Sequence, residues 1–128
     1  MNSQQIIKEC LLENGLKALI SDQTRHYFGG YYHVSLLITA EVSITDSIFK
    51  SESEYTDAIS RMGESISFKS SLEKMAVPAD EVNAVRASLL DSFENNALAY
   101  LSQPDFSKRF ILNEYRKKIK SSAVHYRS

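Results

Sequence analysis

An α+β fold is what this chain predicts, on three observations. Apolar residues alternate at period two from Tyr32 to Thr45, the pattern of a long strand with one buried face. They recur at helical spacing from Tyr55 to Met62 and from Val82 to Tyr100, the pattern of helices with one buried stripe. Asn-Gly and Gly-Gly pairs punctuate the first third of the chain, where hairpin turns belong. The resulting order is strand, strand, strand, helix, strand, helix, helix. An antiparallel sheet of about four strands with about three helices packed on its apolar face satisfies that order.

The 128 residues suit one domain, 1–128, with residues 121–128 expected as a frayed tail. A composition 43% hydrophobic and 24% charged is that of a folding globular chain rather than a disordered one. The formal net charge of -1 leaves no whole-molecule field to recruit nucleic acid or an anionic membrane. No apolar run approaches the roughly 18 residues of a membrane span. The start, "MNSQQIIKECLLENG", has neither the basic beginning nor the unbroken apolar stretch of a secretory signal. Cys10 is the only cysteine, so no internal disulfide or thiolate zinc cluster can form. A cytoplasmic protein is expected, with no membrane partner.

The first element is open to two readings. Asn14-Gly15 between "IIKECLL" and "LKALI" is a strong hairpin signal and favours a strand. The rival is a helix from Gln4 to Glu13, capped by Ser3 and stopped by Gly15. The next strand pair is better determined. In the Tyr32–Thr45 strand, Val34, Leu36, Ile38, Ala40, Val42 and Ile44 share a face with Tyr32, while His33, Ser35, Thr39, Glu41 and Ser43 take the other. A two-residue turn at Gly29-Gly30 would pair His26 with His33 but set Ile20 against Thr39. A three-residue loop, Phe28-Gly29-Gly30 with Gly30 left-handed, sets Ile20 against Ile38 and Ala18 against Ala40. A one-residue slip inverts every side chain, so the second register is expected, and the two histidines fall on opposite faces.

Later elements follow from caps and stripes. Ser51 and Glu54 have capping-box spacing, and Gly63 is a natural stop for the helix between them. Alternation through Ile66, Phe68 and Leu72 gives a strand from Ser65 to Met75. Pro78 opens a long helix burying Val82, Val85, Leu89, Phe93, Ala97 and Tyr100. Ser102 and Asp105 have capping spacing before a last helix, which buries Phe106, Phe110, Ile111 and Tyr115 and frays after Lys120.

Function is sought first in "RHYFGGYYH", residues 25–33. Tyr27, Phe28, Tyr31 and Tyr32 offer large rigid apolar area with polar handles, the residue type enriched in contact hot spots. They suit a partner interface, and equally suit cross-strand pairs that stabilise the hairpin. Asp22, Thr24 and His26 are polar residues on the face that Ile20 occupies. An enzyme would use His26 as general base, Asp22 to orient it and Thr24 to meet substrate. No nucleophile motif accompanies them, and no catalytic residue is assigned. Arg25 and His33, on the other face, complete the ligand-binding candidates. His26, His33 and His125 lack metal-site spacing, so no metal is expected, and no phosphate-loop or dinucleotide fingerprint calls for a cofactor.

Seven of the fifteen basic residues lie in the last 21 positions: Lys108, Arg109, Arg116, Lys117, Lys118, Lys120 and Arg127. A cationic helix can track phosphates, with Tyr115 and Tyr126 available for stacking. Cations near a helix C-terminus are also favoured by the helix dipole alone, and a pI near 6.3 argues against a dedicated nucleic-acid binder.

At "ENGLKALISDQTRHYFGGYYHVSLLITAEV" and "AYLSQPDFSKRFILNEYRK" the chain resembles a group of small uncharacterised bacterial proteins. In that group an Asn-Gly-Leu turn leads into a strand with a Ser/Thr-Arg step, then a Gly-x-Tyr/Trp turn and a second strand with acidic ends. The resemblance implies a cytosolic bacterial protein, highlights Thr24-Arg25 and Pro104-Asp105-Phe106, and carries over no catalytic residue.

The expected function is non-enzymatic association, as a homodimer through the aromatic hairpin. The alternative is a small-molecule or anion-binding protein, or a weak enzyme, using a groove where Asp22, Thr24, Arg25 and His26 meet a helix. Nucleic-acid binding by the last helix is third.

Overall fold

A computed structural model describes residues 5–127, with side chains described through Lys120. Five strands form an antiparallel sheet: β1 (Gln5–Leu11), β2 (Lys17–Asp22), β3 (Arg25–Phe28), β4 (Tyr31–Ser43) and β5 (Ser65–Pro78). The helices are α1 (Glu52–Met62), α2 (Val82–Ser92), α3 (Leu98–Leu101) and α4 (Phe106–Arg127). Contacts gather the chain into two compact units, Met1–Ala40 with Phe68–Gln103, and Glu41–Ser67 with Pro104–Ser128. β4 and β5 contribute residues to both.

In the first unit, the segment before Asn14 is a strand, not a helix. β1 and β2 pair antiparallel with Cys10 opposite Ala18 and Leu11 opposite Lys17, and the register shifts once, between Ile6 and Lys8. Gly15, at φ 92, takes the left-handed position that closes the loop. The Asn14 carboxamide is used on both sides of that turn. Its Oδ1 accepts from Leu16 N–H at 3.1 Å, and its Nδ2 donates to the carbonyls of Leu101 and Gln103 at 2.7 and 2.9 Å. One side chain thereby satisfies orphan carbonyls at the end of α3.

β2 and β3 lie along β4 in one register. Ala18 faces Ala40, Ile20 faces Ile38, Asp22 faces Leu36, Arg25 faces His33 and His26 faces Tyr32. This is the register expected from hydrophobic matching, and it buries Ala18, Ile20, Val34, Leu36, Ile38 and Ala40 almost completely. Four strands become five because the second is interrupted at Gln23-Thr24. There Gln23 N–H still donates to Ser35 O at 2.8 Å, but Ser35 N–H donates to the Thr24 hydroxyl at 3.3 Å. A side chain has replaced a main-chain acceptor.

The hairpin tip corrects the expected turn. Phe28 pairs with Tyr31, so the loop is the two-residue Gly29-Gly30, and Gly29 rather than Gly30 is left-handed, at φ 57. The register is rescued by a bulge at Tyr27, between His26 and Phe28. An extra residue in one strand shifts pairing by one, just as an extra loop residue would. The tip is tied down where Gly30 O accepts from Ala79 N–H at 3.0 Å.

From Ala79 to Leu101 the chain is helical throughout, first as a 3₁₀ turn, then α2, a π turn at Phe93–Ala97, and α3. Leu98 N–H reaches back five residues to Phe93 O. That inserted residue moves the buried stripe by one position. Leu101 is therefore buried and Tyr100, expected inside, is half exposed; of the other positions expected inside, Phe93 is buried and Val82, Val85, Leu89 and Ala97 are only half-buried. Ser102 is likewise redirected: its hydroxyl donates to Leu98 O at 2.8 Å instead of capping the next helix.

In the second unit, Ser51 accepts from Glu54 N–H at 3.2 Å and caps α1, which ends at Gly63. Ile44 N–H donates to Glu64 O at 2.9 Å, and Glu41 accepts from Ser67 at 2.7 Å, holding the β4 and β5 ends together. The α4 stripe of Phe106, Ile111 and Tyr115 is buried. The helix extends to Arg127; the side chains of the expected tail, including His125, Tyr126 and Arg127, lie outside the described residues. Among the described residues, no helix is long and apolar enough to cross a membrane.

Candidate functional site

In the first unit a cavity of about 420 Å³ opens where the break between β2 and β3 meets α2. Four of the five ligand candidates line it: Asp22, Thr24, Arg25 and His26. Tyr32 joins them from β4, Gln5 from β1, and Asn83 and Arg86 from α2.

The interruption at Thr24 gives this site its shape. The Asp22 carboxylate folds back to accept from Thr24 N–H at 2.9 Å, an Asx-type turn that ends β2. Its other oxygen lies 2.9 Å from Arg86 Nε, an ion pair whose N–H is not aligned as a hydrogen bond. Arg86 Nη1 donates to Asn83 Oδ1 at 2.8 Å. The His26 imidazole stands edge-on to Tyr32, ring centroids 5.4 Å apart, and its Nε2 donates to Gly29 O. That bond assigns the proton to Nε2 and leaves Nδ1 as the acceptor facing outward. Arg25 is exposed and makes no ion pair among the described residues.

These contacts dismantle the Asp–His arrangement considered for a general base. Asp22 is engaged by Arg86 and Thr24, His26 by Gly29, and Thr24 by Ser35. Among the described residues the groove keeps the unpaired Arg25 cation and the Asn83 amide N–H to hold an anion, and the His26 Nδ1 lone pair to accept from a hydroxyl the anion carries, as a hydrogen phosphate does. Polar recognition of a small anion is the chemistry this set supplies.

His33 sits elsewhere. It is buried outside the groove, with Nε2 2.6 Å from Glu73 Oε1 on β5 and Nδ1 without a partner among the described residues. Arg86 and Asn83 were missed by sequence reasoning, although a signal existed. Arg86 follows Val82 by one helical turn, on the edge of the buried stripe, and a half-buried guanidinium needs a carboxylate. Asp22 is the acidic residue on the facing strand.

At the hairpin tip Tyr27, Phe28 and Tyr31 are 53%, 74% and 46% exposed, and Phe28 and Tyr31 are cross-strand partners. Tyr32 is turned toward His26 and the groove. On α4, two of the six basic candidates with described side chains are paired, Arg109 with Asp105 at 3.2 Å and Lys117 with Glu114 at 3.1 Å. Among the described residues, no three His, Cys, Asp or Glu side chains gather as a metal site.

Comparison of the chain with protein-family models, with the curated proteins and with the solved structures finds no match.

Proposed function

We propose that the protein works by association, with the aromatic hairpin seated on a second copy of the chain in the cytosol. One observation carries this reading: three large aromatics, Tyr27, Phe28 and Tyr31, stand exposed on the strand ends that flank one two-residue turn. Exposed aromatics on a fixed backbone lose little entropy on docking. The tip is fixed by the Tyr27 bulge and by the bond from Ala79 N–H to Gly30 O. Native mass spectrometry of the untagged chain, beside its Tyr27→Ser/Phe28→Ser/Tyr31→Ser variant, tests the proposal. A dimer that becomes a folded monomer supports it; a variant of unchanged mass places the interface elsewhere.

A second reading makes the groove at Asp22, Thr24, Arg25 and His26 a binding site for a small anion. It is favoured by the gathering of these residues around about 420 Å³, with Arg25 unpaired among the described residues. Saturable thermal stabilisation by inorganic phosphate, lost in His26→Ala and Arg25→Gln, is its expected signature. Stabilisation that survives both substitutions would remove it.

A further inference from the structure

The second unit holds a cavity of its own, about 340 Å³, bounded by the segment Ser47–Lys50, the first turn of α1 and one face of α4. Its walls are of two kinds. Ile48, Phe49, Leu112 and Ile119 supply apolar surface, and Ile119 is 41% exposed although it borders an apolar recess. Lys50, Lys108 and Arg116 supply cations.

Helical spacing explains how α4 presents both kinds together. Lys108, Leu112 and Arg116 are four residues apart, and Leu112, Tyr115 and Ile119 form the adjoining i, i+3, i+7 row. Tyr115 lines the cavity too; its hydroxyl is committed to Asp57 at 2.6 Å and its ring packs edge-on against Phe49. The charges are unbalanced. Lys50, Lys108 and Arg116 make no ion pair among the described residues, whereas Arg109 and Lys117 on the same helix are each paired. Among the described residues one carboxylate lines the cavity, that of Glu54, and it accepts from the main-chain N–H of Lys50 at 3.3 Å.

We propose that this cavity binds a small amphipathic anion, a carboxylate or phosphate monoester carrying an apolar tail or ring. The anionic group would be held among Lys50, Lys108 and Arg116, and the apolar part would cover Leu112, Phe49 and Ile119. A neutral apolar ligand would leave three cations partly desolvated without a counter-charge. A small inorganic anion would leave the apolar wall wet. Only a molecule with both parts satisfies both walls, and the volume lies at the lower end of the small-molecule range. This site shares no residue with the hairpin or with the groove at Asp22, so its fate is independent of theirs.

The test uses the full chain and octanoate as probe, with octanol (tail without charge) and acetate (charge without tail) as controls. Titration calorimetry is expected to give one saturable octanoate site, with both controls at least about tenfold weaker. Lys108→Gln and Arg116→Gln should each weaken octanoate by about tenfold or more, the loss of one charge-assisted contact. Lys118→Gln, the same charge change outside the cavity, should leave affinity unchanged. All three positions are exposed, so the variants are expected to fold, and circular dichroism verifies it. Absence of a saturable site overturns the proposal. So does octanol binding as well as octanoate, which means a sticky apolar patch, or equal weakening by Lys118→Gln, which means unspecific charge. Sedimentation with phosphatidylglycerol vesicles but no binding of free octanoate overturns it in favour of a membrane surface.

Discussion

The Tyr115 hydroxyl donates to Asp57 Oδ2 at 2.6 Å, joining α4 to α1 across 58 residues of sequence. Arg61 Nε reaches the same oxygen at 2.8 Å. The hydrogen bond from Tyr115, then that from Arg61, hold the Asp57 carboxyl below its ordinary value of 3.8, while the Asp57 carboxylate and burial push the Tyr115 phenol up to about 12. The two shifts limit stability at opposite ends of the pH scale. Asp57 contributes fully above pH 3.8, and its contribution is lost as pH falls through its lower folded value. Tyr115 contributes fully below pH 10.0, and its contribution is lost as pH rises through about 12. Tyr115→Phe is therefore expected to melt below the wild type by a gap that is widest near neutrality and narrows at both extremes. Thermal melts of the pair across pH check this, and a gap that does not vary with pH would show that the bond is not its source.

His33 and Glu73 make a second cross-chain contact, with imidazole Nε2 2.6 Å from the carboxylate. The histidine is buried and its Nδ1 already lacks a partner among the described residues, while the glutamate side chain is 47% exposed. Removing the glutamate orphans the second nitrogen as well. Glu73→Ala is expected to cost about 1–3 kcal/mol, the usual range for a buried polar group left unsatisfied. Glu73→Gln keeps an acceptor and should cost less. Urea denaturation of the three proteins gives the order. Equal losses would mean that the carboxylate's charge, not its capacity to accept, supports His33.

How much of this was legible follows from what each residue must satisfy. The register of β2 on β4 was legible because Ile20, Ala18, Ile38 and Ala40 can be buried together in only one pairing. The device that produces it was not, since a longer loop and a bulge at Tyr27 shift pairing by the same single residue. α1 was legible from Ser51, whose side chain does cap Glu54 N–H. The π turn was hidden, because Phe93–Ala97 carries no composition that marks an i→i+5 bond. The groove was half legible: Asp22, Thr24, Arg25 and His26 are adjacent in sequence, whereas Arg86 reaches Asp22 across 64 positions only through folding. The cavity beside α4 could not be foreseen as a cavity, because it depends on where Phe49 and Lys50 lie against that helix.

The π turn makes its own prediction. It moves the buried position at the end of α3 from Tyr100 to Leu101, which is 1% exposed. Leu101→Ala is expected to cost about 2–5 kcal/mol, as for a leucine whose site cannot collapse. Tyr100→Ala should cost less. A larger loss at Tyr100 than at Leu101 in denaturant titrations would restore the uninterrupted helical stripe.

Ala76 is the one non-glycine residue with positive φ among those described, at 56°, and it lies within β5. A Cβ in the left-handed region costs roughly 1–2 kcal/mol, whereas glycine loses about 0.4–1 kcal/mol through the unfolded chain. Ala76→Gly is therefore expected to be neutral or stabilising. Ala87→Gly, on the exposed side of α2, should lose about 1 kcal/mol. Melting the two variants in parallel decides the point, and destabilisation by Ala76→Gly equal to that of Ala87→Gly would mean that the strand carries no strain there.

Asp22 and Arg86 test whether the groove is held by charge or by the turn. The Asp22 carboxylate serves both Thr24 N–H and Arg86, and its side chain is 18% exposed against 28% for the arginine. Asp22→Ala leaves a half-buried guanidinium and a main-chain donor without their acceptor, an expected loss of about 1–3 kcal/mol. Arg86→Ala removes the cation but leaves the Asx turn intact, so it should cost less. If the ion pair itself matters, the double variant will be more stable than the sum of the single losses predicts, by about 0.5 kcal/mol or more. Additive losses would instead assign Asp22 to the Thr24 turn alone, leaving Arg86 free to meet a ligand in the groove.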